Sequence, residues 1–254
     1  MDIIEKYCLE GKIMNNITFR QSIEFFHDKL QKEENFTLSK YADGEWAVIK
    51  NHNINNSEFW FDPTNAEDQS KRWTLLESFQ YKHPNYYVGI SCPCCQGIDV
   101  FREMKSLSGQ DDDHLTWANI WVNSNYSYYV ENIIPIFQNK PIILFCNERG
   151  DTKSLPFVPY IVFPMKDNSW EHNWKHIDIA KSIIDINKLE NCIFLFCCGP
   201  FGNILAYELT KHCPNNTYLD IGSTLNPWLK SAGFERHYYM GNNFWANLTC
   251  QWGE

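Results

Sequence analysis

The sequence contains no run of about 18 apolar residues, so none of it is expected to cross a membrane. It also lacks a basic excess: 22 Lys and Arg stand against 31 Asp and Glu, a net charge of -9. Neutralising a nucleic-acid backbone needs a basic surface, so nucleic acid is excluded as a main partner. The opening Met1-Asp2-Ile3-Ile4-Glu5-Lys6 has neither the basic start nor the apolar stretch of a signal peptide. A cytoplasmic protein is therefore expected, and its 10 cysteines are expected as thiols rather than a disulfide framework. In such a compartment the Asn-x-Ser/Thr triplets at Asn16, Asn125 and Asn247 read as chance occurrences in an Asn-rich chain. No internal repeat or low-complexity segment is present.

What is present is a chain of 254 residues, 44% hydrophobic and 21% charged, the balance of a globular enzyme. Aromatics reach 16%, with 10 Trp, enough for a thick aromatic core or for platforms that stack on sugars and bases. Apolar residues at helical spacing (Ile23, Phe26, Leu30) predict a helix over 17–32, with Thr18 as a cap. Helices are also predicted over 70–81, 101–108, 126–137, 174–187 and 203–212. Strands are predicted over 36–41, 86–91, 117–122, 141–146, 160–164, 191–198 and 217–221. The segment 46–49 reads as a short helix or strand. This alternation predicts one α/β domain over 1–254, with a mostly parallel, Rossmann-like sheet flanked by helices.

Three segments can carry chemistry. Asp43-Gly44-Glu45 follows a predicted strand, and its two carboxylates can reach one divalent ion; hard cations such as Mn2+ or Mg2+ prefer such oxygen ligands. The same residues also read as a solvated Asp-Gly turn. Gly199-Pro200-Phe201-Gly202 lies between a strand and a helix, where backbone N–H groups can cradle a phosphate or close a tight turn. Asp220 ends the next strand, about twenty residues after Gly199, near the spacing at which a Rossmann unit places its ribose-binding acid.

The segment Phe36-x-Leu38-Ser39-Lys40-Tyr41-Ala42-Asp43-Gly44-Glu45 resembles the Ser-Arg-Phe-Gly-Asp-Gly-Glu signature of the GT-D glycosyltransferases. That family was first described as a bacterial domain of unknown function in glycoprotein and polysaccharide gene clusters. Cys198-Gly199-Pro200-x-x-Asn203-x-Leu205-Ala206-Tyr207-Glu208-Leu209, followed by Leu219-Asp220-Ile221-Gly222, is similar to the same family's Gly-Pro, Leu-Ala and Asp-Ile-Gly-His ending. The resemblance implies one α/β domain that moves a hexose from a nucleoside-diphosphate sugar, commonly UDP-glucose, to a glycan, glycoprotein or glycolipid hydroxyl, as in polysaccharide biosynthesis. It implies Mn2+ or Mg2+ held by Asp43 and Glu45, and donor binding by Ser39, Lys40, Tyr41, Gly199, Pro200, Gly202 and Asp220. Lys40 stands where Arg is usual, Ala42 replaces Gly, and Ser223-Thr224-Leu225-Asn226 departs from the His-containing ending. Lys40 keeps the charge but loses the bidentate fork.

The base that activates an acceptor hydroxyl is expected at Asp220 or Glu148, with Asp151 behind them, since each follows a predicted strand. Cys92-Pro93-Cys94-Cys95 reads as thiols or as the start of a zinc site, Asp111-Asp112-Asp113-His114 as a solvated cap or a cation site, and Trp170 to His176 as a helix start with core Trp or a sugar-stacking patch. Two other functions compete with sugar transfer. One is a Rossmann-type methyltransferase or dinucleotide enzyme built on Gly199 to Asp220. The other is a non-catalytic carbohydrate-binding protein.

Overall fold

Unbroken apolar runs become strands buried on both faces, as in a parallel sheet covered by helices. The computed structural model describes residues 18–56 and 59–230; the readings at Met1–Lys6, Asn16 and Asn247 fall outside them. Nine strands occur there: β1 (Thr37–Lys40), β2 (Ile54–Asn55), β3 (Trp60–Phe61), β4 (Tyr86–Ile90), β5 (Leu115–Trp117), β6 (Ile142–Asn147), β7 (Ile161–Met165), β8 (Ile193–Phe196) and β9 (Thr217–Asp220). Seven form one sheet in the order β5-β4-β1-β9-β8-β6-β7, and every pairing is parallel. β2 and β3 form a small antiparallel pair outside it. β4, β8 and β9 are buried throughout, whereas β7, at the edge, alternates and carries Pro164 where a missing N–H is tolerated.

The flanking helices are α1 (Phe19–Gln31), α2 (Asp43–Ile49), α3 (Ala66–Gln80), α4 (Pro93–Gln96), α5 (Ile98–Ser108), α6 (Tyr126–Tyr128), α7 (Ile134–Phe137), α8 (Ser169–His172), α9 (His176–Asn187), α10 (Pro200–His212) and α11 (Asn226–Leu229). In α1 the predicted stripe of Ile23, Phe26 and Leu30 is buried, and Thr18 forms a capping box with Gln21. α3 starts earlier than its apolar spacing predicts because the Asn65 side chain accepts from Glu67 N and Asp68 N. Between α6 and α7 the backbone widens into a π turn over Tyr129–Ile133, next to Pro135, which has no N–H to give the ladder.

Two predicted boundaries shift. The strand expected over 117–122 is β5, Leu115–Trp117. Its last ladder bond runs from Ala118 N to Ile90 O, and the chain then turns with Ile120 N bonded to Trp117 O. Ala118, Ile120 and Trp121 are still buried, so the apolar run continues past the strand that it appears to define. The loop expected over 199–202 shrinks to Gly199, because Pro200 takes the first helical position of α10, where its fixed φ suits a helix start. No helix among the described residues is long and apolar enough to cross a membrane.

Four of the eight described Trp are core. Trp46, Trp117, Trp121 and Trp170 are buried, and Trp170 donates its indole N–H to Asp68 Oδ1 at 2.9 Å. Trp174 donates to the Trp170 carbonyl, so this pair starts a helix instead of forming an open stacking surface.

Candidate functional site

The chain leaves β1 toward β4 and β5, crosses to β6 and β7, and returns inward through β8 and β9 to close against β1. The direction of strand addition therefore reverses beside β1. In open α/β sheets ligands bind outside the carboxyl ends of the strands at such a reversal. The loops after β1, β5, β6, β7, β8 and β9 meet there around a cleft of about 560 Å³.

The floor of the cleft is built from β1 and β9. Asp220 Oδ2 accepts from Lys40 N at 3.3 Å, Asp220 Oδ1 accepts from Gly222 N at 3.0 Å, and Lys40 Nζ lies 3.8 Å from Asp220 Oδ1. Burial raises the pKa of Asp220, and the Lys40 charge and the two backbone donors oppose that rise. Behind the floor, Asn203 of α10 donates to the Lys40 carbonyl at 2.6 Å and to Ser39 Oγ at 3.0 Å. Ser39 Oγ donates to the Tyr41 hydroxyl at 3.2 Å, and that hydroxyl meets Ser78 Oγ at 2.8 Å.

Asp43-Gly44-Glu45 is the first turn of α2 rather than an open turn. The cause is local: Glu45, third in the helix, folds back so that its Oε2 accepts from Ala42 N at 2.9 Å. Asp43 is exposed and Glu45 partly buried, and both line the cleft. Burial first, and the Asp220 charge second, push the Glu45 pKa up to about 7. Asp43 and Glu45 together offer an all-oxygen donor set of the kind that suits a hard divalent cation. Among the described residues no three carboxylates lie close enough to share one ion. A metal on Asp43 and Glu45 would thus keep positions for water and substrate oxygens.

The predicted site residues separate into two groups. Lys40, Asp43, Glu45, Gly199, Pro200 and Asp220 line the cleft. Gly199 takes φ 56° and ψ −147°, a conformation that glycine alone adopts readily, and it turns the chain from β8 into α10. Ser39 and Tyr41 lie fully buried beneath the floor, in the hydrogen-bond network just described, so they support the cleft instead of lining it. Gly202 is also buried; a Cβ there would sit 3.2 Å from Phe196 Cβ, so its smallness serves helix-on-strand packing. Glu148 is exposed and outside the cleft lining, while its neighbours Asn147 and Arg149 line it. Asp151 caps a 3-10 turn and accepts from Ser154 Oγ at 2.6 Å, also away from the cleft.

The other wall was not anticipated from the sequence. Arg149 pairs with Asp167 at 2.6 Å, and Lys166, Asn168 and Ser169 follow β7 into the same space. Asn168 is buried in a left-handed conformation, and its Oδ1 meets no hydrogen-bond partner among the described residues. The available signal was position alone: each of these residues follows the carboxyl end of a sheet strand. The Asp111–His114 run leads into a 3-10 turn over Asp112–His114, with Asp112 paired to Lys105 at 2.7 Å.

No family model matches the sequence, and no curated protein matches it closely enough to count as a relative. Two solved structures of a domain of unknown function 1792 do align: one described as having a distinct glycosyltransferase fold, the other its selenomethionine-substituted form. Each shares 12% identity with this chain at a TM-score of 0.56, over 87% of this chain and 82% of the other. At that identity the likeness is one of architecture, and the chain accordingly shares the glycosyltransferase fold of those structures.

Proposed function

We propose that the protein is a metal-dependent glycosyltransferase of the GT-D type, moving a hexose from a nucleoside-diphosphate sugar, UDP-linked, to a hydroxyl of a glycan, glycoprotein or glycolipid. The observation that carries this reading is the convergence of Asp43, Glu45, Lys40, Asp220 and the Gly199-Pro200 turn on one cleft at the strand reversal. A divalent ion bound by Asp43 and Glu45 would supply charge neutralisation for a leaving diphosphate. The Gly199 turn and Lys40 would orient the phosphates, with an ammonium acting as a point charge rather than a fork. Asp220 is the best-placed acceptor of the incoming hydroxyl's proton: it lines the cleft, and burial raises its pKa above the ordinary carboxylate value, which makes it a stronger base. The Rossmann reading uses only β8, α10 and β9 and leaves the carboxylates after β1 without a role.

Isothermal titration of UDP with and without Mn2+, on wild type and Asp43→Ala, tests the reading. Mn2+-dependent UDP binding that disappears in the variant is expected. UDP binding indifferent to Mn2+, or unchanged in Asp43→Ala, would overturn the metal assignment. No UDP binding under either condition would remove the uridine donor.

A further inference from the structure

A second group of ligating side chains lies beside the cleft, and sugar transfer gives it no task. After β4 the chain reads Cys92-Pro93-Cys94-Cys95. Pro93 starts the short helix α4, and Cys95 N and Gln96 N both bond back to the Cys92 carbonyl, at 3.1 and 3.3 Å. This tight curl turns the three thiols toward one another. Cys92 Sγ and Cys94 Sγ are 2.9 Å apart, Cys94 Sγ and Cys95 Sγ 4.0 Å, and all three sulfurs lie within 4.8 Å of one another. Among the described residues this is the only group of three or more Cys, His, Asp or Glu side chains whose ligand atoms lie so close together.

Thiolates bind zinc at about 2.3 Å, so two on one tetrahedral ion are about 3.8 Å apart. The Cys94–Cys95 spacing of 4.0 Å lies close to that value. Rotation of the exposed Cys94 side chain opens the Cys92–Cys94 pair to it. Asn119 Nδ2 donates to Cys95 Sγ at 3.1 Å, the kind of outer hydrogen bond that orients a metal-bound thiolate. Asn119 also lines the cleft, which places the sulfur cluster at its rim. Soft sulfur ligands select Zn2+ or Cu+ over the hard ions that suit Asp43 and Glu45.

We propose that Cys92, Cys94 and Cys95 form a thiolate site for a soft metal ion, Zn2+, distinct from the carboxylate pair and fixed to the cleft rim through Asn119. Binding releases the thiol protons to solvent, and a ligand beyond these three completes the tetrahedron. The site stands whether or not the sugar-transfer reading holds.

The test uses the full chain, reduced and stripped of metal, titrated with Zn2+ against a chromophoric chelator. Substitution with Co2+ reports sulfur ligation as a charge-transfer band in the near ultraviolet. One equivalent of Zn2+ is expected in wild type, Asp43→Ala and Cys213→Ser. Loss of that equivalent and of the cobalt band is expected in Cys94→Ser/Cys95→Ser, whose two positions are exposed and tolerate the change. Asn119→Ala should weaken Zn2+ binding by about tenfold while keeping the band. The proposal is overturned by wild type that binds no stoichiometric Zn2+, by a double variant that binds as well as wild type, or by loss of binding only together with loss of helical circular dichroism. It is equally overturned if stripped wild type is 2 Da lighter than its thiol form through a Cys92–Cys94 bond that resists reduction.

Discussion

The two walls of the cleft are made differently. On the β1–β9 side, polar groups bond to backbone: Asp220 to Lys40 N and Gly222 N, Asn203 to the Lys40 carbonyl, Glu45 to Ala42 N. On the β6–β7 side the outermost groups bond to one another: Arg149 and Asn147 share Asp167 Oδ1 at 2.6 and 2.8 Å, and the Arg149 and Asp167 side chains are about half exposed. Buried groups tied to backbone cannot adjust without leaving a partner unsatisfied, whereas exposed side-chain pairs exchange partners at little cost. The first wall is thus held in one arrangement. The exposed Arg149–Asp167 pair of the second is adaptable, although Asn168 and Ser169 beside it are buried.

Substitutions should separate the two walls. Asp43→Ala is expected to lower turnover by about 10²–10³-fold with the fold intact, measured as UDP release at saturating donor. A rate within threefold of wild type would place the chemistry elsewhere. Asn203→Ala, which leaves the Lys40 carbonyl and Ser39 Oγ without that donor, is expected to cost about 2 kcal/mol, read as a Tm fall of roughly 4–8 °C. A change below about 0.5 kcal/mol would show that the first wall is less rigid than its bonds suggest.

Glu45 sharpens the comparison through pH. Its folded pKa of about 7 lies above the ordinary 4.5, so the folded protein holds that proton more tightly than the unfolded chain. Its contribution is fully present below pH 4.5 and is lost as pH rises toward 7. Glu45→Gln should therefore gain on wild type between those values, by on the order of 2 kcal/mol, in denaturant melts without added metal. Parallel pH profiles for the two proteins would refute the burial argument. On the second wall, Arg149→Ala is expected to raise KM less than about tenfold with kcat unchanged, and to cost no more than about 1 kcal/mol of stability. A loss of kcat equal to that of Asp43→Ala would erase the distinction between the walls.

Much of the sheet was legible because its strands are apolar runs of the right length, and α1 and α10 because their spacing is helical. β5 misled because burial continues past it through Ala118, Ile120 and Trp121, and a sequence records burial, not ladder bonds. The β1 signature was legible as a block but not residue by residue. It mixes groups that face the cleft, such as Lys40 and Glu45, with groups that hold it up, such as Ser39 and Tyr41; in a strand these alternate only once the register is known. Asp43-Gly44-Glu45 looked like a loop because Gly favours turns, yet the Glu45 carboxylate on Ala42 N makes it a helix start. Arg149, Lys166 and Asn168 carry no local pattern, and their relation to Lys40 exists only after β6 and β7 are placed across the sheet.

The strand order also governs when this cleft can exist during synthesis. Lys40 and Asp220 meet across 180 positions of chain. β9 inserts between β1 and β8, so until it leaves the ribosome two central strands each keep an unpaired edge. The nascent protein can accumulate helices and the β1-β4-β5 and β6-β7-β8 pairings, yet the floor of the cleft arrives only with β9. Such late, long-range closure makes for slow folding and a long interval of exposed strand edges. Those edges stay open to other chains until β9 slides home between β1 and β8.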